Sequence, residues 1–356
     1  MSSASRCSCT DVPRLAVLTG GGDCPGLNAA IRAIVRGAIG HGFEVIGVRR
    51  GFHGLATGQT VILDRNAVGG ILPRGGTVLG SSSFDPEREP DGVAAILATA
   101  RDLELEGVVA IGGEGTLSIA SRLHAGHGVR VVGVPKTIDN DIAGTDVTIG
   151  FDTAVHICTE AIDRLHTTAE SHNRVMVVEV MGRDTGWIAA AAGVAGGADV
   201  ILVPEVPRTI EDVCDHLRRR HEQGRDFSIV VVAEGYRLTR ASGVQDAAVV
   251  RELDEYGYER LGGIAHTVAE EIESLTGFDT RVTVLGHVQR GGTPTARDRF
   301  LATRLGLRAA DLAAAGRWGR MAAVQGNEIV DVPLARALEP RREVPQAWID
   351  ASRVVA

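Results

Sequence analysis

Residues 14–40, RLAVLTGGGDCPGLNAAIRAIVRGAIG, contain a complete strand, loop and helix pattern. The run 14–20 is almost continuously apolar, which is typical of a strand in a parallel sheet covered on both faces. Glycines at 20–26 predict a tight loop before an amphipathic helix at 27–40. Main-chain N–H groups in such a loop, with the helix N-terminus, favour a bound phosphate. The stretch therefore predicts an α/β fold with an anion site, and a βα turn without a ligand is the alternative.

The same alternation continues along the chain. Seven further apolar runs predict strands, at 44–50, 107–113, 129–136, 174–182, 199–205, 227–235 and 280–288. Helical patterns fill the gaps, at 92–105, 117–125, 152–169, 186–195, 209–223, 258–275 and 296–315. This order predicts parallel sheets built from βαβ units. We expect residues 1–13 to be a flexible tail and 236–260 to be a surface insertion.

Composition excludes several classes of function. The 356-residue chain carries a net charge of -8, which argues against a broad nucleic-acid surface. No apolar run is long enough to span a bilayer, and the first residues lack the apolar segment of a signal peptide. The five cysteines are scattered without a C-x-x-C pair, so no zinc site is expected. We expect a cytoplasmic protein.

Glycine-rich or polar segments follow five of the predicted strands. They are TGGGDCPGLN (19–28), IGGEGT (111–116), PKTIDND (135–141), EVMGRDTG (179–186) and LGHVQRGG (285–292). Ligands of open α/β sheets bind at the carboxyl ends of the strands. Five such segments together predict one large polar site. A Walker A sequence is absent, so the chain is not a P-loop enzyme.

Two of these loops carry acids that suit phosphoryl transfer. Glu114 lies in a glycine loop, where a carboxylate beside phosphates calls for a bridging Mg²⁺. The alternative is an acid that stabilises a helix N-terminus through the dipole. In PKTIDND, Asp139 or Asp141 can accept a proton from an attacking hydroxyl. The alternative is an Asx turn.

Arginines at the strand ends supply positive charge. Arg174, Arg183, Arg281 and Arg290 all occupy such positions. The planar guanidinium matches two phosphate oxygens at once, although a lone arginine is more often a solvated surface residue. His287 is equally compatible with a packed histidine and a ligand contact.

Five motifs, in this order, resemble the 6-phosphofructokinases. They are GGDCPGLNAAIR, GGEGT, PKTIDND, SHNRVMVVEVMGR and LGHVQRGGTP, and the similarity extends over about 14–335. GGEGT together with PKTIDND resembles the bacterial branch of the family that contains both ATP- and pyrophosphate-dependent members. The resemblance implies two Rossmann-like parallel-sheet domains with the active site in the cleft between them. Residues 14–150 with 289–335 would bind nucleotide, and 151–288 with 336–356 would bind sugar phosphate.

The resemblance also implies a role for each matching residue. The donor would contact Gly22, Ser83, Phe84, Gly113, Glu114, Gly115 and Thr116, with Glu114 as the Mg²⁺ ligand in place of the usual Asp. Fructose 6-phosphate would contact Thr137, Ile138, Asp139, Met181, Gly182, Arg183, Glu234, His287, Val288, Gln289 and Arg290. Asp139 would be the general base, with Thr137 and Arg183 as the other catalytic residues. Arg174 and Arg281 would reach the site of a neighbouring subunit in a homotetramer.

The chain departs from the family at Ser83, where an arginine usually bridges donor and sugar phosphates. A neutral hydroxyl cannot replace a guanidinium. We expect either low activity or compensation by another cation, such as Lys136 or Arg88.

The familiar bacterial effector pocket is matched only in part. Arg32, Arg36, Arg65 and Glu205 match, whereas His166 and Arg225-Asp226 replace expected basic residues. Regulation of that kind is therefore not expected.

Gly115 favours ATP as the donor. Pyrophosphate users of the family typically carry Asp there, which would repel the ATP α-phosphate, although Lys136 is typical of those users. The leading hypothesis is transfer from ATP to the 1-hydroxyl of fructose 6-phosphate. The alternatives are a pyrophosphate-dependent enzyme, a weakly active sugar-phosphate-sensing paralogue, and a lipid or NAD kinase with a similar glycine loop.

Overall fold

A computed structural model describes residues 12–244 and 262–355. Most of the predicted tail 1–13 and of the predicted insertion 236–260 lies outside these ranges. Among the described residues, no helix has the length and apolarity that a membrane crossing requires.

The strands follow the predicted order. They are β1 (Arg14–Thr19), β2 (Glu44–Val48), β3 (Thr60–Ile62), β4 (Leu105–Gly112), β5 (Val131–Thr137), β6 (Ile149–Gly150), β7 (Val175–Val180), β8 (Val200–Leu202), β9 (Ser228–Ala233), β10 (Thr239–Arg240), β11 (Gly243–Val244), β12 (Thr280–Val284), β13 (Arg320–Gln325) and β14 (Glu328–Pro333). Every predicted strand is confirmed, with ends that shift by a few residues.

The helices are also close to prediction. They are α1 (Leu27–Gly40), α2 (Gly51–Ala56), α3 (Gly92–Asp102), α4 (Glu114–His127), α5 (Phe151–His172), α6 (Trp187–Ala195), α7 (Ile210–Glu222), α8 (Ile264–Thr276), α9 (Ala296–Ala314) and α10 (Gln346–Val355). Short 3-10 turns cover Gly286–Arg290 and Leu334–Leu338. The predicted start of α8 at 258 lies outside the described residues.

Two mainly parallel sheets organise the chain. The larger has the order β14-β13-β5-β4-β1-β2-β3, with β6 beside β5, and the smaller has the order β12-β7-β9-β8. Only β3 and β14, at the two edges of the larger sheet, run antiparallel to their neighbours. The α/β class with parallel sheets is confirmed. The exact domain bounds stay a prediction, although the chain does return to the larger sheet at β13 after building the smaller one.

Each sheet contains a point where the winding reverses, and these points place the site. β1 lies between β2 and β4, and β7 lies between β9 and β12. At such points the loops after adjacent strands diverge to opposite faces and leave a crevice for a ligand. The loops concerned are the two glycine loops in the larger sheet, and the segments after β7 and β12 in the smaller one.

Asp298 on α9 fixes the connection between the sheets. Its buried carboxylate accepts hydrogen bonds from the Gly150 N–H at 3.0 Å and from the N–H and hydroxyl of Thr153 at 2.8 and 2.6 Å. These donors begin α5, the helix that carries the chain from the larger sheet to the smaller. A helix N-terminus favours such an anion. One carboxylate thus holds α5 against α9.

Candidate active site

Thr116 packs the two glycine loops of the larger sheet against each other. The Gly20 N–H donates to the Ile111 carbonyl at 3.0 Å, and a Cβ added at Gly20 would lie 2.5 Å from the Thr116 hydroxyl. A Cβ at Gly112 would also collide with Thr116. Glycine is therefore required at both positions for close packing. The predicted donor residues Gly113, Glu114 and Thr116 accordingly adjoin the loop that contains Gly22.

Lys136 is committed to the first glycine loop. Its buried ammonium donates to the Gly20 carbonyl at 3.2 Å and to the Gly22 carbonyl. Burial lowers the pKa of Lys136. The side chain thus holds the loop in shape from behind.

Ser83 and Phe84 lie beside the same loop. The Gly21 N–H donates to the Ser82 carbonyl at 3.1 Å, which places the neighbouring Ser83 at this edge. Ser83 is exposed, and Phe84 is half-buried with its ring edge-on to His53. Arg88, the other candidate to compensate for Ser83, is exposed and lies 3.7 Å from Asp85.

Asp139 lies where the loops of the two sheets meet. Its N–H donates to the Thr137 hydroxyl at 3.1 Å, and its carbonyl accepts from Thr185, just after the β7 loop, at 3.4 Å. Burial raises the pKa of Asp139, and the Arg290 and Arg183 guanidinium groups oppose that rise. A half-buried carboxylate with raised basicity and two cations nearby is suited to accept a proton beside anionic ligands.

Arg290 connects the sheets directly. A Cβ added at Gly22 would collide with the guanidinium, so that group lies against the main chain of the first glycine loop. Arg290 ends the 3-10 turn after β12, while Gly22 follows β1. The predicted sugar-phosphate cation and the predicted donor loop are therefore in contact.

Gln289 holds the loops of the smaller sheet together. Its buried side-chain oxygen accepts from the Met181 N–H at 3.1 Å, and its amide donates to the Gly286 carbonyl at 3.0 Å. The side chain is therefore used within the protein, and only its main chain is available to a ligand. His287 and Val288, on the same turn, are exposed, whereas Ile138 is buried.

Glu234 follows β9 at the same edge of the smaller sheet. Burial, followed by repulsion from Asp139, raises the pKa of Glu234 to about 7. Gly182, between Met181 and Arg183, has a φ of 135°, which accounts for glycine there. From the smaller sheet, these residues face the loop 135–141 that carries Asp139.

Arg174 and Arg281 lie at the opposite edge. Arg174 immediately precedes β7, Arg281 is near the start of β12, and both pair with Asp279. The length of β7 separates them from the loops described above by about 20 Å. Within one chain these two arginines are therefore not brought to the site.

A cluster of acids around Arg341 was not predicted as a unit. The Arg341 Nε donates to Glu114 at 2.8 Å and lies 3.8 Å from Asp141, and its terminal nitrogen pairs with Asp184. Burial and then Asp139 raise the pKa of Asp141 to about 7. Arg341 is 227 residues from Glu114 in sequence, so no local pattern pointed to the contact.

The acids next to the donor loop fit a magnesium ion. Glu114 and Asp141 offer hard oxygen ligands, and Mg²⁺ commonly uses one or two carboxylates with phosphates and water. Within 12–244 and 262–355, no group of three or more His, Cys, Asp and Glu side chains could hold a metal by itself. The fit is therefore to an ion whose coordination a phosphate donor completes.

Comparison with known proteins gives consistent matches. The family model described as Phosphofructokinase matches residues 14–313. A pyrophosphate--fructose 6-phosphate 1-phosphotransferase of Amycolatopsis methanolica is 54% identical over 96% of this chain and 99% of its own. An ATP-dependent 6-phosphofructokinase 3 of Streptomyces coelicolor is 52% identical over 94% of this chain and 97% of its own.

A solved structure has the same fold. The T-state phosphofructokinase of Pichia pastoris superposes with a TM-score of 0.81 at 32% identity, over 92% of this chain. This chain covers 37% of the Pichia chain, so it spans little more than a third of that length.

The raised pKa of Glu234 predicts a pH-dependent stability. The folded state retains the Glu234 proton up to about pH 7, whereas the unfolded chain releases it near 4.5. The native state thus binds more protons between these values, and the Glu234 contribution to stability falls as pH rises through the window. Gln does not titrate, so the change in the free energy of unfolding caused by Glu234→Gln should be more favourable at pH 7.5 than at pH 5. The expected difference between the two pH values is roughly 1–3 kcal/mol.

Urea unfolding of wild type and Glu234→Gln across this pH range measures the difference. Glu328→Gln, at an exposed strand position, is the matched control and should show no such trend. A Glu234→Gln effect that is equal at pH 5 and 7.5 would contradict the raised pKa.

Proposed function

This chain belongs to the phosphofructokinase family of enzymes, and from that premise we propose that it transfers the γ-phosphoryl group of ATP to the 1-hydroxyl of fructose 6-phosphate. The products would be fructose 1,6-bisphosphate and ADP. The observation that carries the proposal is the position of Asp139, between the glycine loops of the larger sheet and the arginines of the smaller one.

The proposed chemistry follows from these positions. Asp139 accepts the proton of the sugar 1-hydroxyl. The hydroxyl oxygen bonds to the γ-phosphorus of ATP as the bond between that phosphorus and the ADP oxygen breaks. Arg183 and Arg290 lie near enough to Asp139 to affect its charge, and we assign them to the transferred group and the 6-phosphate, respectively. Thr137 orients Asp139. Mg²⁺ held by Glu114 would neutralise the donor phosphates.

Gly115 supports ATP as the donor. It lies in the first turn of α4, and a Cβ added there would meet nothing within 4 Å outside its chain neighbours and the backbone of its own helix. The side-chain volume at this position is therefore open beside the donor loop. We infer that the ATP α-phosphate passes through it, where a carboxylate would repel that phosphate.

Pyrophosphate is the second candidate donor. Lys136 adds a buried positive charge behind the Gly20–Gly22 loop, and three of the similar relatives carry the pyrophosphate name. A cation at that position strengthens phosphate binding without excluding ATP. We therefore place ATP first.

We also propose a cytoplasmic homotetramer with shared sites. Arg174 and Arg281 converge on Asp279 at the far edge of the smaller sheet. Because about 20 Å separates both arginines from Asp139 of their own chain, we assign them to the phosphate site of a neighbouring subunit.

Asp139→Asn should lower kcat by about 10²–10⁴-fold, the usual range for loss of a general base. Binding of fructose 6-phosphate should change little, since the amide keeps the size of the carboxylate. Steady-state kinetics and calorimetric titration with the sugar phosphate measure the two quantities. Asp102→Asn, exposed at the end of α3, is the control. A near-normal kcat would remove Asp139 from this role.

Gly115→Asp should weaken use of ATP by at least ~10-fold in kcat/KM, because the new carboxylate repels the α-phosphate. Use of pyrophosphate should fall much less, or become detectable. Kinetics with both donors on wild type and variant check this. Gly126→Asp, on the same helix with open space around its Cβ position, is the matched control. Equal ATP use by Gly115→Asp and wild type would disprove the assignment.

Mixing Arg174→Ala subunits with Asp139→Asn subunits should restore activity through hybrid sites. Such sites combine an intact base from one chain with an intact arginine from another. The activity of purified hybrids, compared with each parent, is the readout. Hybrids no more active than the parents would argue against shared sites.

A further inference from the structure

We propose that Arg341 binds the transferred phosphoryl group and so supplies the guanidinium that Ser83 cannot. This inference rests on the proposed phosphoryl transfer and adds a residue to it. The structure places Arg341 between the second glycine loop (111–116), the loop that carries Asp139 (135–141) and the segment after β7.

The partners of Arg341 come from all three of these parts. Glu114, which accepts a hydrogen bond from Nε at 2.8 Å, begins α4 at the end of the second glycine loop. Asp141, at 3.8 Å, is two residues beyond Asp139. Asp184, the third partner, directly follows Arg183. The guanidinium therefore lies in the cleft that the proposed reaction uses.

The main chain fixes Arg341 in this place. The N–H of the next residue, Arg342, donates to the Asp141 carbonyl at 2.9 Å. The Arg342 carbonyl accepts from the Trp187 indole at 2.8 Å, and the Arg342 guanidinium stacks 4.1 Å from the Trp187 ring centroid. Further along, the Val344 N–H donates to Glu205 at 3.2 Å. We call residues 339–346 the C-terminal strap.

The charges allow Arg341 and a magnesium ion to act together. When all three are ionised, Glu114, Asp141 and Asp184 carry three negative charges, and the Arg341 guanidinium leaves two. A divalent cation would balance the remainder, so its binding does not require Arg341 to leave. Donor binding brings further phosphate charge next to Arg341, and that charge favours a contact with the guanidinium.

The exposure of the partners makes an exchange of contacts inexpensive. The side chains of Arg341, Glu114 and Asp184 are 38%, 46% and 45% exposed. Ion pairs this accessible to water contribute little to stability. Arg341 can therefore replace one carboxylate partner by a phosphoryl oxygen without a large change elsewhere.

The other two cations considered for this role, Lys136 and Arg88, are placed differently. Lys136 donates from behind to the carbonyls of the first glycine loop, and Arg88 is exposed beside Asp85. Neither contacts the second glycine loop, the loop 135–141 and the segment after β7 together, as Arg341 does.

The test compares Arg341→Met and Arg341→Lys with wild type. Arg341→Met should lower kcat by about 10–10³-fold, below the full effect of an arginine that stabilises the transition state. Calorimetry with Mg²⁺ and a non-hydrolysable ATP analogue should show analogue binding weakened by at least ~10-fold, the low end of what a hydrogen bond to a charged group contributes. Arg341→Lys should fall between the two. Arg336→Met, whose exposed side chain pairs with Glu339 nearby, is the control and should match wild type.

A double variant makes the test specific. Ser83→Arg should raise kcat of the Arg341→Met variant by a larger factor than it raises kcat of wild type. The reason is that the new arginine and the native Arg341 would place a guanidinium at the same phosphoryl group. Equal factors in the two backgrounds would overturn the proposal. An Arg341→Met variant that keeps wild-type kcat would also overturn it. Tighter Mn²⁺ binding by that variant, measured by electron paramagnetic resonance, would show that Arg341 only competes with the metal. Failure of wild type itself with both donors would instead refute the proposed function.

Discussion

The contact between Arg290 and the main chain at Gly22 is the constraint on which the site depends. It joins a turn after β12 of the smaller sheet to a loop after β1 of the larger one, and any side chain at residue 22 would displace it. Asp139 lies beside that junction, under the influence of both Arg290 and Arg183. The loops of the two sheets can meet at one carboxylate because the winding of each sheet reverses at the strands that lead there.

Electrostatics at this junction are a balance between burial and cations. Asp139, Asp141 and Glu234 all have raised pKa values, chiefly because the protein withdraws them from water and secondly, for Asp141 and Glu234, because Asp139 is close. Carboxylates crowded in this way hold protons more readily and attract cations. That property suits an enzyme that brings two anionic substrates together, and the Arg341 contact extends it to the C-terminal strap.

Much of this was predictable from sequence, for reasons visible in particular residues. Continuous apolar runs such as 107–113 gave the buried strands, and glycine or acid after them gave the loops. The hairpin β13–β14 was missed, although Gly326-Asn327 between its strands is a recognised turn signal. The short α2 and β3 have too few residues to show a period. The inward side chain of Gln289 and the contact of Arg341 with Glu114 depend on tertiary packing, which no local pattern encodes.

The most direct test of the proposed reaction is ³¹P nuclear magnetic resonance of the wild-type protein with fructose 6-phosphate, Mg²⁺ and equal amounts of ATP and pyrophosphate in one tube. If ATP is the donor, fructose 1,6-bisphosphate and ADP appear together while the pyrophosphate resonance persists. Consumption of pyrophosphate with ATP unchanged would contradict the donor assignment. The absence of any new sugar bisphosphate would contradict the proposed reaction itself.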